Sequence, residues 1–399
     1  MSDSTNLSGE RTGEQPSRGV RTQVPLVDLR AQYRTIEEDV AAALQRVLER
    51  QMFVDGPETA AFEAEFAEAC EADDCVAVSS GTTALELALA ALGVGPGDEV
   101  ITVSHTFIAT AGAIVNTGAT PVFVDIDEKT WTMSPEQVAE AVGPRTKAVV
   151  PVHIYGHPAD VPAIAAAAPG VPIIEDACQA HGARYFGSTV GTYAWAACYS
   201  FYPGKNLGAY GDAGAVVTND RQLAATLRST RDHGRNTGRK YEHGRLGTNA
   251  RAGELQAAVL RAKLPYLPEW TEARRRVAER YEAGLRNANV QLQVVQPWAE
   301  HARHLFVVLH DDRDRLLAAL QAEGIGAAIH YPVPVHRQQA MVDRWRGLDR
   351  GLSVTEAVSS TCLSLPLYPE LDDADADRVL GTLASALDTR SEMHAAALV

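Results

Sequence analysis

From Val24 onward, short runs of β-branched and small apolar residues alternate with longer segments of helical periodicity. Such an alternation admits few architectures, because each parallel strand needs a crossover, usually a helix, to bring the chain back to the start of the next. Strands are expected over residues 75–79, 100–103, 121–125, 147–153, 172–175, 196–201 and 215–218. Helices are expected between them. In 83–92, Leu85, Ala88, Leu89 and Leu92 share a face; in 135–141, Ser134 is the N-cap and Pro135 takes the first position. The expected fold is α/β, with a mostly parallel seven-stranded sheet and helices on both faces.

Past Gly253 the texture changes. A long helix pair over 254–286, broken by Pro265 and Pro268, leads to a shorter segment where 304–310 and 325–330 read as strands around a helix at 313–323. The expected division is a polar, disordered tail at 1–22, a large α/β domain at 23–253, and a helical connection with a small α+β domain at 254–399. No internal repeat is visible.

The 36 Lys and Arg against 51 Asp and Glu give a formal charge of −15, which repels a phosphate backbone and argues against nucleic acid as a partner. No apolar stretch approaches the roughly 20 residues that cross a bilayer, so no membrane association is expected. Five cysteines (70, 75, 178, 198 and 362) form no CxxC pair. Neither a disulfide framework nor a metal site is expected, and a reducing cytoplasm fits best.

Three segments could carry chemistry. In Val78-Ser79-Ser80-Gly81-Thr82-Thr83 an apolar strand opens directly into a helix. Its first N–H groups and Gly81 offer an anion site, although Ser80 or Thr82 could equally be a simple cap. In Ile173-Ile174-Glu175-Asp176 a strand delivers an acid at its carboxyl end, where α/β sheets bind ligands and where a carboxylate can keep a heterocyclic nitrogen protonated; capping the next turn is the plainer role. In the segment from Tyr199 to Gly214 a strand runs into a Gly-rich loop holding Lys205. Of five lysines, Lys129, Lys147, Lys240 and Lys263 read as turn residues or parts of charged helical faces. Lys205 alone follows an apolar strand, where an amine can lose its proton and form a Schiff base. A further cluster, from Gly93 to Asp98, follows a helix and precedes a strand, so it reads as a helix stop and not as a dinucleotide site.

Taken together, these motifs resemble the DegT/DnrJ/EryC1/StrS aminotransferases, fold type I pyridoxal-phosphate enzymes acting on keto sugars. The similarity runs from Val24 to about Leu380 and includes Gly56-Pro57-Glu58, Ser80-Gly81-Thr82, the stretch from Glu175 to Ala183, and Ser200-Phe201-Tyr202-Pro203-Gly204-Lys205-Asn206. The resemblance implies pyridoxal 5'-phosphate as cofactor, Lys205 as Schiff-base lysine, Asp176 as pyridinium partner, and Gln179 beside the phenolic oxygen. Gly81, Thr82 and Ser200 would hold the phosphate. The stacking aromatic would be Phe107, with His105 as the alternative. Asn249 would reach the neighbouring subunit's phosphate site, which implies a homodimer with shared active sites. His330 and Tyr331 would line the sugar site, or else form a strand end packed on the main domain. Cys178 stands where the family usually has Ala, a small-for-small change.

The implied reaction moves an amino group from L-glutamate to a nucleotide-linked keto sugar. The lysine loop resembles that of members acting on dTDP-3-keto-6-deoxyhexoses, with 4-keto nucleotide sugars and aminocyclitols as alternatives. A non-catalytic regulator on the same fold is the reading from a different class. A DNA-binding version would need a helix-turn-helix domain and a basic face.

Overall fold

The computed structural model describes residues 23–236, 238–239 and 241–396, with no side chains described for 389–396. The expected tail at 1–22 and Lys240 lie outside the described residues. Seven strands form the main sheet: β1 (Asp74–Val78), β2 (Glu99–Val103), β3 (Thr120–Val124), β4 (Thr146–Val150), β5 (Ile174–Asp176), β6 (Ala196–Ser200) and β7 (Gly214–Thr218). Each overlaps an expected strand, although β4 ends three residues earlier than expected and β5 starts two residues later. They read as continuous apolar runs because helices cover both faces.

Their spatial order is β1-β7-β6-β5-β4-β2-β3, with β5 meeting β4 through single parallel bridges at Val149–Ile173 and Val152–Asp176. Only β7 is antiparallel to its neighbours. Consequently β1, β5 and β6 point the same way, and their carboxyl ends open on one edge of the sheet.

The crossover helices follow their local signals. Helix α3 (Gly81–Ala91) begins two residues before the expected start because Ser80 Oγ accepts the Thr83 N–H at 3.1 Å. Helix α5 (Pro135–Ala141) is capped by Ser134, as the sequence indicates. The Gly93 cluster is a helix stop and turn, with Gly93 and Gly97 at positive φ and the Gly95 N–H on the Asp98 carboxylate. On one face of the sheet Phe62, Phe66, Trp131, Tyr199 and Phe201 pack together. On the other, Leu85 and Leu89 pack with Val100, Ile174, Val216 and Leu227.

The expected helix pair is α8 (Glu254–Lys263) and α9 (Leu267–Leu285), joined by the 3-10 turn Leu264–Tyr266, where Pro265 interrupts the α-helical ladder. Beyond it lies a three-stranded antiparallel sheet: β8 (Gln291–Leu292), β9 (Phe306–Leu309) and, at its other edge, β11 (Cys362–Leu365). The short β10 (Arg346–Gly347) instead extends the main sheet beside β3.

One expectation is corrected here. Residues 325–330 form no strand; they make only single bridges at Val24–Ile325 and Ala328–Ser364. Gly326 lies against the backbone of Pro25 and Leu26, where a Cβ would come within 2.6 Å of the Leu26 nitrogen, and the chain then turns toward the carboxyl edge of the main sheet. The place beside β9 is taken by Cys362–Leu365, which sequence periodicity did not single out. The helix expected at 313–323 is α10 (Arg313–Ala322). All five cysteines are free thiols, and no helix among the described residues is long and apolar enough to cross a membrane.

Candidate active site

The aligned ends of β1, β5 and β6 meet in a cavity of about 620 Å³. Gly81, Thr82, Phe107, Asp176, Gln179, Ser200, Lys205, His330 and Tyr331 all line it. These expected residues come from five separate stretches of chain and converge on one space. Asn249 does not line it; it is exposed, on the loop that bridges back to Asp232.

At the phosphate end, glycine is required sterically. A Cβ on Gly81 would lie 2.6 Å from Ser200 Cβ and 2.8 Å from Cys178 Sγ, and one on Gly214 would lie 2.4 Å from the Ser80 carbonyl. The first turn of α3 therefore presses directly on the ends of β5, β6 and β7. Its leading N–H groups and the helix dipole face the cavity, a ready anion site. Ser80 caps the helix and, with Gly81 and Thr82, lines the space, so the cap leaves this end of the cavity open.

At the opposite side, Asp176 ends β5 and is buried. Its Oδ2 accepts the Thr110 hydroxyl at 2.7 Å and its Oδ1 accepts the Cys178 N–H at 3.2 Å. Thr110 sits in the first turn of helix α4 (Ile108–Asn116) and was not anticipated. The signal available was its position one turn after Phe107 and next to Thr106, whose hydroxyl it meets at 2.8 Å. Phe107 is 54% exposed, lines the cavity and meets Tyr331 with ring centroids 5.7 Å apart. His105 is instead buried behind it, bonded to the Tyr155 hydroxyl at 2.8 Å, and burial pushes it down to about 4. Of the two aromatics the sequence left open, Phe107 is the one that faces the site.

Gln179 is fixed by a backbone donor: its Oε1 accepts the Tyr155 N–H at 2.6 Å, so its Nε2 must point outward, where it donates to the Tyr331 hydroxyl at 3.2 Å. A donor, not an acceptor, thus faces the cavity. Tyr155 holds this arrangement from a left-handed φ of 59°, and its hydroxyl also bonds the His330 carbonyl. His330 Nδ1 in turn meets Ser364 Oγ at 2.8 Å, so His330 is both packed against β11 and part of the cavity wall.

Lys205 hangs from the turn after β6, with its N–H on the Tyr202 carbonyl at 2.8 Å. Burial pushes its amine below the ordinary lysine value, against the pull of Cys178 and Asp176. Nearby His330 and His304 are held low as well, by burial first and then by the Lys205 charge. The shift is in the direction that a nucleophilic lysine requires. His304 is a further unanticipated wall residue; its Nδ1 meets Asn206 Oδ1 at 3.2 Å.

Lys263 differs from its sequence reading. It does not sit on a charged, solvated helical face but is completely buried, with Nζ donating to the Gly208 carbonyl at 2.8 Å.

An acid at one strand end and a lysine on the turn after the adjacent parallel strand, opposite a glycine-cradled helix N-terminus, define the class: this is an aminotransferase of fold type I. Residues 34–384 match the DegT/DnrJ/EryC1/StrS aminotransferase family, and the chain belongs to it. It is 48% identical over 90% of its length to the erythromycin biosynthesis sensory transduction protein EryC1 of Saccharopolyspora erythraea, covering 98% of that protein. It is 46% identical over 91% of its length to the dTDP-3-amino-3,4,6-trideoxy-alpha-D-glucose transaminase of Streptomyces venezuelae, covering 96% of it. The crystal structure of S. venezuelae DesV in complex with a ketimine intermediate superposes with a TM-score of 0.88 at 46% identity, covering 91% of this chain and 98% of that one.

Proposed function

We propose that the cavity binds pyridoxal 5'-phosphate and moves an amino group from L-glutamate to a nucleotide-linked 3-keto sugar, with Lys205 and Asp176 as the catalytic pair. The observation that carries this reading is the placement of Asp176 at the end of one strand and Lys205 on the turn that follows the adjacent parallel strand, both around one cavity. The cofactor fits the residues present. Glycine at 81 and 214 lets the start of α3 close against Ser200, Cys178 and the β7 backbone, which brings the free N–H groups of its first turn to the cavity wall as a phosphate requires, and Asp176 is held by donors that leave its carboxylate able to accept a proton-bearing ring nitrogen.

When bound, pyridoxal phosphate supplies an electron sink conjugated to the substrate amine. Gly81, Thr82 and Ser200 hold the phosphate. Asp176 would keep the ring nitrogen protonated, Gln179 Nε2 would offer a donor to the phenolic oxygen, and Phe107 would cover the ring face. Lys205 Nζ, which burial holds below the ordinary lysine value, would carry the proton that leaves the amino donor's α-carbon. Transfer to the sugar runs the same proton movements in reverse. His330 and Tyr331 border the space left for the sugar.

The 3-keto assignment is supported by the 46%-identical transaminase named for a dTDP-3-amino sugar and by the form of the lysine loop. Asn249, exposed and outside its own subunit's cavity, is assigned to the partner's phosphate site in a homodimer. The same reading divides the chain into a cofactor-binding unit, residues 23–253, and a helical connection with a small unit, 254–399, and places the protein in the cytoplasm.

The test is the visible absorption of cofactor-loaded protein mixed separately with 3-amino and 4-amino nucleotide sugars and an aminocyclitol. Bleaching of the band by the 3-amino sugar alone is expected. Bleaching by another amine replaces the substrate, and a band that no amine bleaches favours a regulatory role, as the name of the 48%-identical relative suggests for that protein.

A further inference from the structure

Lys263 ends helix α8, far in sequence from Lys205, yet its side chain passes beneath the loop that carries Lys205. Its Nζ donates to the Gly208 carbonyl at 2.8 Å and lies 4.4 Å from the centroid of the Tyr210 ring. One helix turn and more upstream, Gln256 accepts the Tyr210 N–H at 3.0 Å. Helix α8 therefore grips the lysine loop at Gly208 and Tyr210, beyond Lys205, once through a buried ammonium and once through an amide.

The loop itself is folded tightly. The Lys205 N–H bonds Tyr202 and the Ala209 N–H bonds Phe201, both at 2.8 Å. A Cβ on Gly208 would stand 2.3 Å from the Pro203 carbonyl, so residues 203 and 208 are pressed together at the base of a closed turn. The Gly208 carbonyl that Lys263 holds is the outer strap of this turn. Asn206 is tied at the other side, donating to the Ala302 carbonyl at 2.8 Å.

An ammonium buried without an ion pair is costly and is retained where its hydrogen bonds do something an apolar residue cannot. No carboxylate lies within salt-bridge distance of Lys263 among the described residues. The charge nearest in effect is Glu370, which also feels Arg274 and Asp28, and whose own carboxylate oxygens are buried without a hydrogen-bond partner. The directed contacts of Lys263 are thus the Gly208 carbonyl and the Tyr210 ring, and both belong to the lysine loop.

We propose that Lys263 is a positioning residue for catalysis: its ammonium locks the turn from Tyr202 to Gly211 and so aims Lys205 into the active cavity. It acts through the loop and touches neither substrate nor cofactor. The inference rests on Lys205 being the reactive lysine.

The experiment compares wild type with Lys263→Met, which keeps the buried stem and deletes the charge, and Lys263→Arg, which restores a donor. Hydrogen–deuterium exchange of the peptide covering 201–212 should rise about tenfold in the Met variant, with β6 and the rest of the main sheet unchanged. Turnover should fall by about 100-fold, the loss expected for a reacting group displaced by an ångström, with the KM for the amino donor little altered. The Arg variant should recover part of both. Wild-type exchange and turnover in Lys263→Met overturn the proposal. So does loosening spread over the whole sheet with a lower melting temperature, or an Arg variant no better than Met. Borohydride reduction of pyridoxal-phosphate-loaded protein followed by peptide mass mapping separates the two readings: label absent from Lys205 in wild type refutes the site assignment itself, whatever the Lys263 variants do.

Discussion

Thr110 Oγ1 donates to Asp176 Oδ2 at 2.7 Å, and this bond joins the first turn of α4 to the end of β5 across the floor of the active cavity. The Asp176 carboxylate accepts one hydroxyl and one backbone N–H, which orients it toward the cavity. A hydrogen bond to a charged group contributes about 1.5–3 kcal/mol, so Thr110→Val should lower kcat by roughly 10- to 100-fold. Thr110→Ser should keep most of the rate. Steady-state kinetics on both variants check this, and a Val variant as fast as wild type would remove Thr110 from the catalytic arrangement.

Lys205→Ala should reduce amino transfer below detection while leaving the fold intact, because the side chain lines the cavity and its amine makes no hydrogen bond to the core among the described residues. A melting temperature equal to or above wild type is expected beside the lost activity. Persistent turnover would assign the chemistry to another residue.

Lys263 makes a pH-dependent prediction. Burial holds its ammonium at about 8 against 10.5 for a free side chain. Below pH 8 both folded and unfolded chains carry the proton and the folded state bears the full penalty. Between those values the unfolded chain holds more protons, so stability rises with pH. Above them the penalty is gone. Lys263→Met should therefore be more stable than wild type by up to roughly 3 kcal/mol at pH 7, with the difference closing toward pH 10.5. Urea midpoints at the two pH values measure it; a gap that widens with pH contradicts the burial argument.

Glu254 stabilises a distant helix. Its carboxylate accepts the N–H groups of Gly56, Glu58 and Thr59, each at 2.9 Å, at the start of helix α2 (Pro57–Ala69). Glycine at 56 is part of the fit, since a Cβ there would stand 2.6 Å from Glu254 Oε2. Glu254→Ala leaves these donors buried and unpaired and should cost about 3 kcal/mol. Glu254→Gln keeps one carboxyl-type oxygen and should lose less. Equilibrium unfolding of the two variants checks the order, and equal losses would argue against the shared cap.

The amino-acid sequence by itself determined the seven strands of the main sheet, because continuous β-branched runs between helices have no other way to bury both faces. It also determined the three strand-end motifs, since Ser80-Gly81-Thr82, Asp176 and Lys205 each sit where an apolar run stops and chain direction is already set. Only the tertiary structure decided the rest. Residues 325–330 read as a strand, but Gly326 lies against the backbone of Leu26 and the place beside β9 belongs to Cys362–Leu365. Phe107 was chosen over His105 because Tyr155, 50 residues away, takes His105 into the core. Lys263 and Lys205 show the reason most clearly. Along α8, Lys263 reads as one more charge beside Arg261. Its burial is made by a loop more than 50 residues upstream, and desolvation is a property of what surrounds a side chain after folding, which no local stretch of sequence encodes.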